Sequence, residues 1–553
     1  MIRKLFIFFE CGIIWIIFII HIIQLKSMNK KYLYLSLGIA AIIIIGVFFL
    51  FQNRLLNISS SNYSSTDVVG LPEAKPTETI ELKSGDSYNL TASYVKKTIS
   101  GTKYRMLAYN GSIPGPMLKI LQGAEVTINF KNNTDMKTLL HSHGVRMDNQ
   151  FDGSQTSQKE MEPGETFSYK LKFPDVGMFW YHPHVREDYQ QELGLYGNYL
   201  VISADKNYWS SVNREVPLFL DDILIENEKI ILSKQETNHT LMGRLGNVML
   251  VNGETNYALS ANKNETIRFY ITNSANARPF NFTIEGAKMK LVGADGGAYE
   301  KDQWKESVVL GPSERAVVEV LFDKSGIFAI QNKTPNKTYS LGSITVSADP
   351  VEVSYASKFN TLGTHDQVVE SIDSLRQYFD RAPDKKINLS LQMGSNMTKS
   401  MGGHMMPNGQ MMSGMGMSVP AGGIEWEDDM QMMNQISDTD SIKWKIVDQA
   451  TGKENMDIDW SFAKGEPVKI QIFNDPNSMH PMQHPMHFHG QRFLVLEHNG
   501  VKETNLVWKD TVFIPSGQTV DILLDTSNPG TWMAHCHIAE HLESGMMMKF
   551  NVQ

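Results

Sequence analysis

The segment GAEVTINFKNN, from Gly123 to Asn133, alternates apolar and polar residues with a period of two. This alternation is typical of a β-strand with one buried face, because successive side chains point to opposite sides of a sheet. Two later segments repeat the pattern, NETIRFYITNS from Asn264 and GEPVKIQIFND from Gly465. The chain around them consists of similar short runs bounded by Gly, Pro and Asn, which predicts an all-β fold.

Two further elements follow each of these strands in the same order. The first is PGETFSYKLKF from Pro163, PSERAVVEVLFD from Pro312 and PSGQTVDILLD from Pro515. The second is GMFWYHPH from Gly177, GIFAIQNK from Gly326 and GTWMAHCH from Gly530. A unit that recurs three times in the same order predicts three related β-sandwich domains.

Paired histidines occupy corresponding places in the first and third units. The pairs are His141 and His143, His182 and His184, His487 and His489, and His535 and His537. The corresponding residues of the middle unit are Phe280, Phe282, Gln331 and Lys333. Alternate residues of a strand share one face, so each pair can present both imidazoles to the same side. A single histidine of this kind is usually a hydrogen-bonded structural residue, but four matched pairs predict a metal site shared by two domains.

Charge and cysteine content narrow the class of protein. The formal net charge of -9 leaves no basic surface for nucleic acid, so we expect no nucleic-acid partner. One of the two cysteines, Cys11, lies in an apolar N-terminal run, so the remaining chain cannot form an internal disulfide. Cys536 is therefore a buried small apolar residue, a nucleophile or a metal ligand.

The N-terminal residues 1–51 are hydrophobic and predict a membrane anchor. Residues 32–51 carry no charge and are long enough to cross a bilayer, and Lys30 and Lys31 precede them. We expect an uncleaved signal anchor with the later domains on the extracytoplasmic side. The run from Leu5 to Leu25 is a second span or lies upstream of a true start at Met28. Residues 52–76 are rich in Ser, Asn and Thr and predict a tether.

The surroundings of Cys536 indicate the metal. A thiolate with two imidazoles and a weak axial thioether is the blue-copper ligand set, and Cys536, His541, Met546 and His484 supply it. Zinc also accepts Cys and His, but it would leave the eight other clustered histidines unexplained. His535 and His537 flank Cys536 on a strand and point away from it, so we expect them to serve a second site joined to the first through Cys536.

These clusters resemble the signature of the multicopper oxidases, as do YNGSIPGP (109–116), LVNG (250–253) and WKDTV (508–512). The resemblance extends over nearly the whole chain after about Glu78. It implies three consecutive cupredoxin-like Greek-key β-sandwich domains, which would follow the N-terminal transmembrane anchor predicted above. The expected domains are residues 77–205, residues 212–348 without metal ligands, and residues 384–553, with a linker at 349–383.

The resemblance also implies four copper ions. The type 1 ion would be held by His484, Cys536, His541 and Met546, and the type 2 ion by His141 and His487. The two type 3 ions would be held by His143, His182 and His537, and by His184, His489 and His535. The implied reaction takes single electrons from a reducing substrate and uses four of them to reduce O2 to water.

Oxygen reduction also needs protons, which a carboxylate near the cluster can supply. Asp152 matches a family acid in that place, although it could instead cap a turn before Gly153. Many relatives also have an acid directly after the second type 1 histidine. Here that residue is Leu542, and Glu543 is the candidate replacement.

A methionine-rich insert spans residues 393–433, and its last part, EWEDDMQMMNQ, predicts a short helix. Thioethers prefer Cu(I), and the insert resembles one found in copper-tolerance oxidases near the type 1 site. Met479, His480 and Met482 are candidates for the final substrate site, although relatives tend to have aspartate where His480 lies. We therefore expect Cu(I) as the substrate and a role in copper tolerance.

Three alternatives remain open at this point. The first is a laccase-type oxidase of phenols, aromatic amines, Mn(II) or Fe(II), which would need an open edge at the type 1 site. The second is a non-catalytic protein that sequesters Cu(I), for which a trinuclear cluster would have no use. The third is a two-copper nitrite reductase, which would not need paired histidines on both sides of the outer domains.

Overall fold

The computed structural model describes residues 64–233, 237–394 and 420–553. The predicted anchor, the first part of the tether and most of the methionine-rich insert lie outside these ranges. Within them, no helix combines the length and apolar character needed to cross a bilayer. All the elements below belong to the unit from Ser64 to Gln553.

The first domain consists of two facing sheets. One has the strand order β1-β4-β9-β8-β6 and the other β3-β2-β5-β7. The strands are β1 (Thr79–Leu82), β2 (Ser87–Ile99), β3 (Thr102–Tyr109), β4 (Met117–Leu121), β5 (Glu125–Asn133), β6 (His141–His143), β7 (Thr166–Lys172), β8 (Gly177–His182) and β9 (Gly197–Ile202).

The second domain repeats this plan with the orders β13-β10-β15-β20-β17-β18 and β14-β22-β21-β16-β19, and a ribbon pairs β11 with β12. The strands are β10 (Arg214–Ile223), β11 (Ile225–Glu226), β12 (Lys229–Ile230), β13 (Val248–Val251), β14 (Tyr257–Lys263), β15 (Glu265–Asn273), β16 (Phe280–Ile284), β17 (Lys288–Ala294), β18 (Gly297–Lys305), β19 (Val308–Leu310), β20 (Arg315–Phe322), β21 (Gly326–Lys333) and β22 (Thr338–Pro350).

The third domain has the orders β24-β23-β26-β32-β28-β29, with β30 also paired to β28, and β25-β34-β33-β27-β31. The strands are β23 (Lys385–Met393), β24 (Ile442–Asp448), β25 (Asp459–Phe462), β26 (Val468–Asn474), β27 (His484–Phe488), β28 (Arg492–His498), β29 (Val501–Lys502), β30 (Trp508–Lys509), β31 (Thr511–Ile514), β32 (Thr519–Asp525), β33 (Gly530–Cys536) and β34 (Met547–Val552).

Helices are few and short in the described residues. They are α1 (Glu187–Gln190), α2 (Ala356–Phe359), α3 (Asp366–Asp373), α4 (Gln431–Ile436) and α5 (Ala539–Glu543), with 3-10 turns at Asn149–Phe151, Arg376–Tyr378, Ala421–Gly423 and Asn455–Asp457. The helix predicted at the end of the insert is α4, which begins only at Gln431. The residues before it are held differently, since Asp428 accepts a hydrogen bond from the Met430 backbone and Glu425 bonds to Gln483.

The threefold repeat seen in the sequence is present in the sheets. The first repeated segment forms β5, β15 and β26, and each of these strands runs antiparallel to the strand formed by the second segment, β7, β20 or β32. The third segment forms β8, β21 and β33, each paired with the histidine or phenylalanine strand β6, β16 or β27. The all-β, multi-domain prediction is therefore confirmed.

In the middle domain, apolar core residues occupy the positions that hold histidines in the outer domains. Phe280 and Phe282 are fully buried in a core cluster that includes Ile271, Val318 and Ile330. Burying two phenylalanine side chains contributes several kcal/mol to folding, at roughly 1.5–3 kcal/mol each. This strand pair therefore stabilises the domain and does not build a site.

Two segments predicted as connections lie against the domains. From Ser64 onward the predicted tether is docked on the first domain, because the backbone N–H of Arg105 donates to the Ser65 carbonyl and that of Ala74 to Lys96. The predicted linker at 349–383 contains α2 and α3, and Val368 and Ile372 of α3 pack in one apolar cluster with Trp508. The tether segment is therefore held by backbone hydrogen bonds, and the linker is held by apolar packing.

Candidate metal centre

Strand pairing in the outer domains places the histidines side by side. In the first domain His141 of β6 lies opposite His182 of β8. In the third domain His487 of β27 lies opposite His535 of β33, and Met486 lies opposite Cys536. The register that pairs the strands therefore also gathers the ligand candidates, since cross-strand neighbours are about 4.5–5.5 Å apart at Cβ.

Eight of the paired histidines converge in one buried cluster between the first and third domains. Their ring nitrogens form three groups with all atoms within 4.8 Å of one another. These groups are His141, His143 and His487; His143, His182 and His537; and His184, His489 and His535. The last two are the sets expected for the type 3 ions, and the first contains both residues expected for the type 2 ion.

A separate group surrounds the cysteine. Cys536 Sγ lies 3.5 Å from His484 Nδ1 and 3.6 Å from His541 Nδ1, and these two nitrogens are 3.3 Å apart. Met546 is fully buried beside them, and its carbonyl accepts the Cys536 N–H while its N–H donates to the His541 carbonyl. Its assignment as axial ligand stays a prediction, because these contacts involve its backbone.

The donor set fits copper in its hydrogen bonding. Five cluster histidines use one ring nitrogen for a protein partner and leave the other without one; the partners are the Asp152 carbonyl for His141, Asp510 for His143, the Pro183 carbonyl for His182, Gln155 for His184 and the Asp510 carbonyl for His487. A metal-bound imidazole has this arrangement, since its second nitrogen is anchored while the first is bare. Without a metal, so many buried bare nitrogens would be costly.

Burial also keeps these rings in the form that binds metal. It lowers the pKa of His141, His484, His489 and His535 to about 3, with neighbouring imidazoles adding repulsion at His141, His484 and His535. The rings are therefore neutral near pH 7. Burial raises the pKa of the Cys536 thiol. Copper binding would displace that proton, because a coordinated thiol is deprotonated.

Asp152 lies against the cluster. Its carboxylate oxygens are 3.0 and 3.2 Å from His489 Nδ1, and its carbonyl accepts from His141. Burial raises its pKa from the ordinary value, while nearby imidazoles oppose the rise. Gly153 follows with φ +76°, and a Cβ there would collide with the Leu140 carbonyl, so the turn permits this close approach. Asp152 therefore both precedes the turn at Gly153 and contacts the histidine cluster.

The second predicted acid, Glu543, lies beside another buried acid, Glu187, which was not predicted. Leu542 is buried, and Glu543 accepts hydrogen bonds from the backbone of Arg186 and Glu187 at the start of α1. Glu187 is fully buried with both carboxylate oxygens unbonded, 3.5 Å from His184 Nδ1 and 4.0 Å from His182 Nδ1. Its position three residues after an HxH pair was the available signal.

The predicted substrate residues differ in burial, and one of them is close enough to the type 1 histidines to act on them electrostatically. Met479 is partly exposed, whereas His480 and Met482 are buried. Burial lowers the pKa of His480 to about 4, and a charge on this ring would repel protonated His484 and His541. The stretch from Met479 to His484 therefore begins at a partly exposed residue and ends at a buried ligand candidate of the type 1 group.

Two further residues next to the ligands were not predicted. Trp444 is fully buried with its ring centroid 4.1 Å from that of His541 and 4.9 Å from that of His484. Asp510 contacts His143 and His487, and it belongs to the WKDTV segment whose resemblance to the family was the available signal. Trp444 has no comparable signal, since a tryptophan in a strand is usually a core residue.

Comparison with known proteins identifies the class. Family models described as multicopper oxidase match residues 91–206, 202–348 and 426–553. The multicopper oxidase mco of Staphylococcus epidermidis is 27% identical over 467 residues, which is 83% of this chain and 86% of that protein. The multicopper oxidase MmcO of Mycobacterium tuberculosis is 22% identical, with 84% and 86% covered. This chain belongs to the multicopper oxidase family.

Solved structures agree on the fold. A multicopper oxidase from Campylobacter jejuni, described as a metallo-oxidase, has a TM-score of 0.64 at 24% identity, covering 89% of this chain and 99% of that one. The laccase-like CueO from Ochrobactrum sp. has a TM-score of 0.64 at 20% identity, covering 87% and 100%. The protein is an oxidase that takes electrons from a reducing substrate and passes them to O2.

Different residues of the chain have different places in this reaction. When bound, four copper ions accept electrons singly and deliver four to O2. Cys536 joins the two metal groups through its peptide links to His535 and His537. Asp152 holds a carboxyl beside His489, and a carboxyl placed next to a reaction centre can transfer a proton. Burial of the whole cluster excludes bulk water and fixes the rings before reaction.

Proposed function

We propose that this oxidase acts on Cu(I) and serves in copper tolerance. The observation that carries the proposal is the placement of soft ligands at the type 1 group. Met479 is partly exposed, and the buried His480 and Met482 lie shortly before the ligand candidate His484 in the chain. Thioethers favour Cu(I) over the harder Fe(II) and Mn(II).

The end of the methionine-rich insert is attached next to the same group. The backbone N–H of Glu425 donates to Gln483 Oε1 at 2.7 Å, and Gln483 Nε2 donates back to the Glu425 carbonyl at 3.2 Å. Gln483 directly precedes His484. Relatives tend to have an aspartate at the position of His480. Here Glu425 brings an acidic residue to the neighbouring Gln483.

A second attachment follows in α4. Asn434 is fully buried, its carbonyl accepts the His239 N–H at 2.8 Å, and its side chain accepts the Met242 N–H at 3.1 Å. The Thr240 carbonyl between them accepts the Trp444 indole N–H at 2.6 Å, and Trp444 covers His541. The segment that follows the insert is therefore hydrogen-bonded to residues that pack beside both type 1 imidazoles, which supports a role of the insert near the type 1 group.

The test removes thioethers while keeping volume. Residues 395–419 contain eight methionines, and all of them are replaced by leucine in one variant; a second variant carries Met479→Leu and Met482→Leu. Such exchanges conserve side-chain volume and usually cost less than about 1.5 kcal/mol in a core. We expect KM for Cu(I) to rise by an order of magnitude or more in each, with oxidation of a phenol unchanged.

The matched control is Met456→Leu, since Met456 is an exposed methionine on the 3-10 turn before β25. Oxygen uptake is measured with Cu(I), Fe(II), Mn(II) and a phenol at equal copper loading. Unchanged Cu(I) kinetics in both variants would refute the proposal and favour the laccase-type oxidase. An equal fall with every substrate would show that the methionines only support the fold.

We also propose that residues 32–51 anchor the chain in a membrane with the domains on the extracytoplasmic side. The support is the uncharged run itself and the preceding Lys30 and Lys31. Protease added to intact cells should digest the domains. If the domains are protected until the cells are broken, the domains lie on the cytoplasmic side and the proposed orientation is wrong.

A further inference from the structure

Arg315 connects the middle domain to both outer domains. It is the first residue of β20, and its side chain is fully buried. Its Nε donates to the Met178 carbonyl of β8 at 2.8 Å, in the strand that ends at His182. Its Nη1 donates to Asp510 Oδ1 at 2.8 Å, and Nη2 bonds to Oδ2. One side chain from the domain that lacks metal ligands therefore touches both domains that hold them.

Asp510 in turn orients one cluster histidine from each outer domain. Its Oδ1 accepts from His143 Nε2 at 3.0 Å, and its carbonyl accepts from His487 Nδ1 at 2.8 Å. These bonds leave His143 Nδ1 and His487 Nε2 bare and aimed at the same group. Which nitrogen of a histidine binds metal is decided by the hydrogen bond at the other one.

The space around Asp510 leaves little freedom. A Cβ at Gly144, which follows His143 with φ +79°, would collide with the Asp510 carboxylate. Thr511 Oγ1 lies 3.0 Å from the same His143 nitrogen. Without the guanidinium, Asp510 would be a buried carboxylate lacking its bidentate partner, and it would turn toward another donor.

We propose that Arg315 is a positioning residue for the trinuclear centre, which acts through Asp510 to fix the rings of His143 and His487. The middle domain therefore takes part in the oxidase site although none of its described residues belongs to a ligand group. The test is Arg315→Lys, which keeps the charge but cannot make two parallel hydrogen bonds. Arg268→Lys is the control, because Arg268 is similarly buried but pairs with Glu319 and Glu215 inside the middle domain.

The readouts are copper affinity, by competition with a chelator, and the electron paramagnetic resonance of type 2 copper. We expect Arg315→Lys to change the type 2 spectrum and to weaken cluster copper by about 10- to 100-fold, a typical effect of losing a partner of a metal ligand. The blue type 1 absorption should stay, since Asp510 does not contact the Cys536 group. Arg268→Lys should match the native enzyme in all three measurements.

A purely structural role would give a different result. If Arg315→Lys lowers the unfolding temperature of the copper-free protein but leaves the type 2 spectrum and copper affinity native, the proposal is wrong. Asp510→Asn provides a second route that leaves Arg315 intact. It should reproduce the spectral change, and the double variant should add little to either single one, because both act on one contact. A native spectrum in Asp510→Asn would also overturn the proposal.

Discussion

His489 Nε2 and His535 Nε2 lie 2.9 Å apart at the centre of the histidine cluster, and each ring is anchored by its other nitrogen, to Asp152 and to the Cys536 carbonyl. A neutral imidazole carries one N–H, and the Asp152 carboxylate and the Cys536 carbonyl are both acceptors, so the two Nε2 atoms face each other as bare lone pairs when no metal lies between them. Each ring must also stay neutral, since two imidazolium ions cannot share this buried space.

The first prediction follows for the copper-free protein. Burial lowers the pKa of His141, His489 and His535 to about 3, whereas unfolded histidine titrates near 6.5. Between these values the unfolded chain binds more protons, so the free energy of unfolding falls as pH falls. Each such residue contributes about 1.4 kcal/mol per pH unit below 6.5.

We therefore expect the unfolding temperature of the copper-free protein to drop steeply between about pH 6.5 and pH 5. Calorimetry at half-unit steps checks this, with a His489→Gln variant as comparison, because it removes one of the titrating rings. A copper-free protein whose stability does not change over this range would contradict the structure of the cluster.

The second prediction concerns Cys536→Ser. Cys536 supplies the only thiolate near His484 and His541 in the described residues, so the variant should lose its blue colour and all substrate oxidation. It should retain the other three of four copper ions, because none of the cluster groups contains Cys536. Met486→Leu, directly opposite in the strand pair, should keep both colour and activity. Persistent blue absorption in the serine variant would remove the type 1 assignment.

The third prediction concerns Asp152→Asn. If the buried carboxyl supplies a proton beside His489, reoxidation of the reduced enzyme by O2 should slow by about 100-fold or more, the range of general acid catalysis. Reduction of the type 1 group by substrate should not change. Stopped-flow measurement separates the two half-reactions, and Asp148→Asn is the control, since exposed Asp148 caps the same turn. A slower reduction step would point to misfolding of the turn.

The fourth prediction concerns Glu543. Burial and the nearby Asp188 raise its pKa to about 8, so it is protonated at neutral pH. If it replaces the acid absent at Leu542 and acts through Glu187, turnover should decline as pH rises through about 8, and Glu543→Gln should lower turnover and abolish that decline. A native pH profile in the glutamine variant would exclude this route.

Stability supplies an independent check of the same pKa. A carboxyl whose pKa is raised in the folded state favours folding below its ordinary pKa, and that contribution is lost as pH rises from 4.5 to about 8. The free energy of unfolding should therefore decrease more over this range in the native protein than in Glu543→Gln. Equal slopes would show that Glu543 titrates normally.

Much of the architecture could be predicted because it depends on local patterns. Alternation in GAEVTINFKNN and its two repeats predicted β5, β15 and β26, since a half-buried strand needs that period. The matched histidines predicted which domains meet, and the phenylalanines of β16 predicted which domain carries no ligands. The docking of the segment from Ser64 and the packing of α3 were not predicted, because neither polar composition nor a short helix shows what it will contact.

The sequence by itself determined which histidines and which cysteine are the candidate ligands, because HxH pairs and the HCH segment present their side chains through strand geometry alone. Only the tertiary structure decided which groups surround those ligands. Trp444 and Arg315 come to the site from another strand and another domain, and no spacing in the chain records such contacts. Ring orientation and the burial that lowers the histidine pKa values arise from long-range packing, which places residues hundreds of positions apart within hydrogen-bond distance.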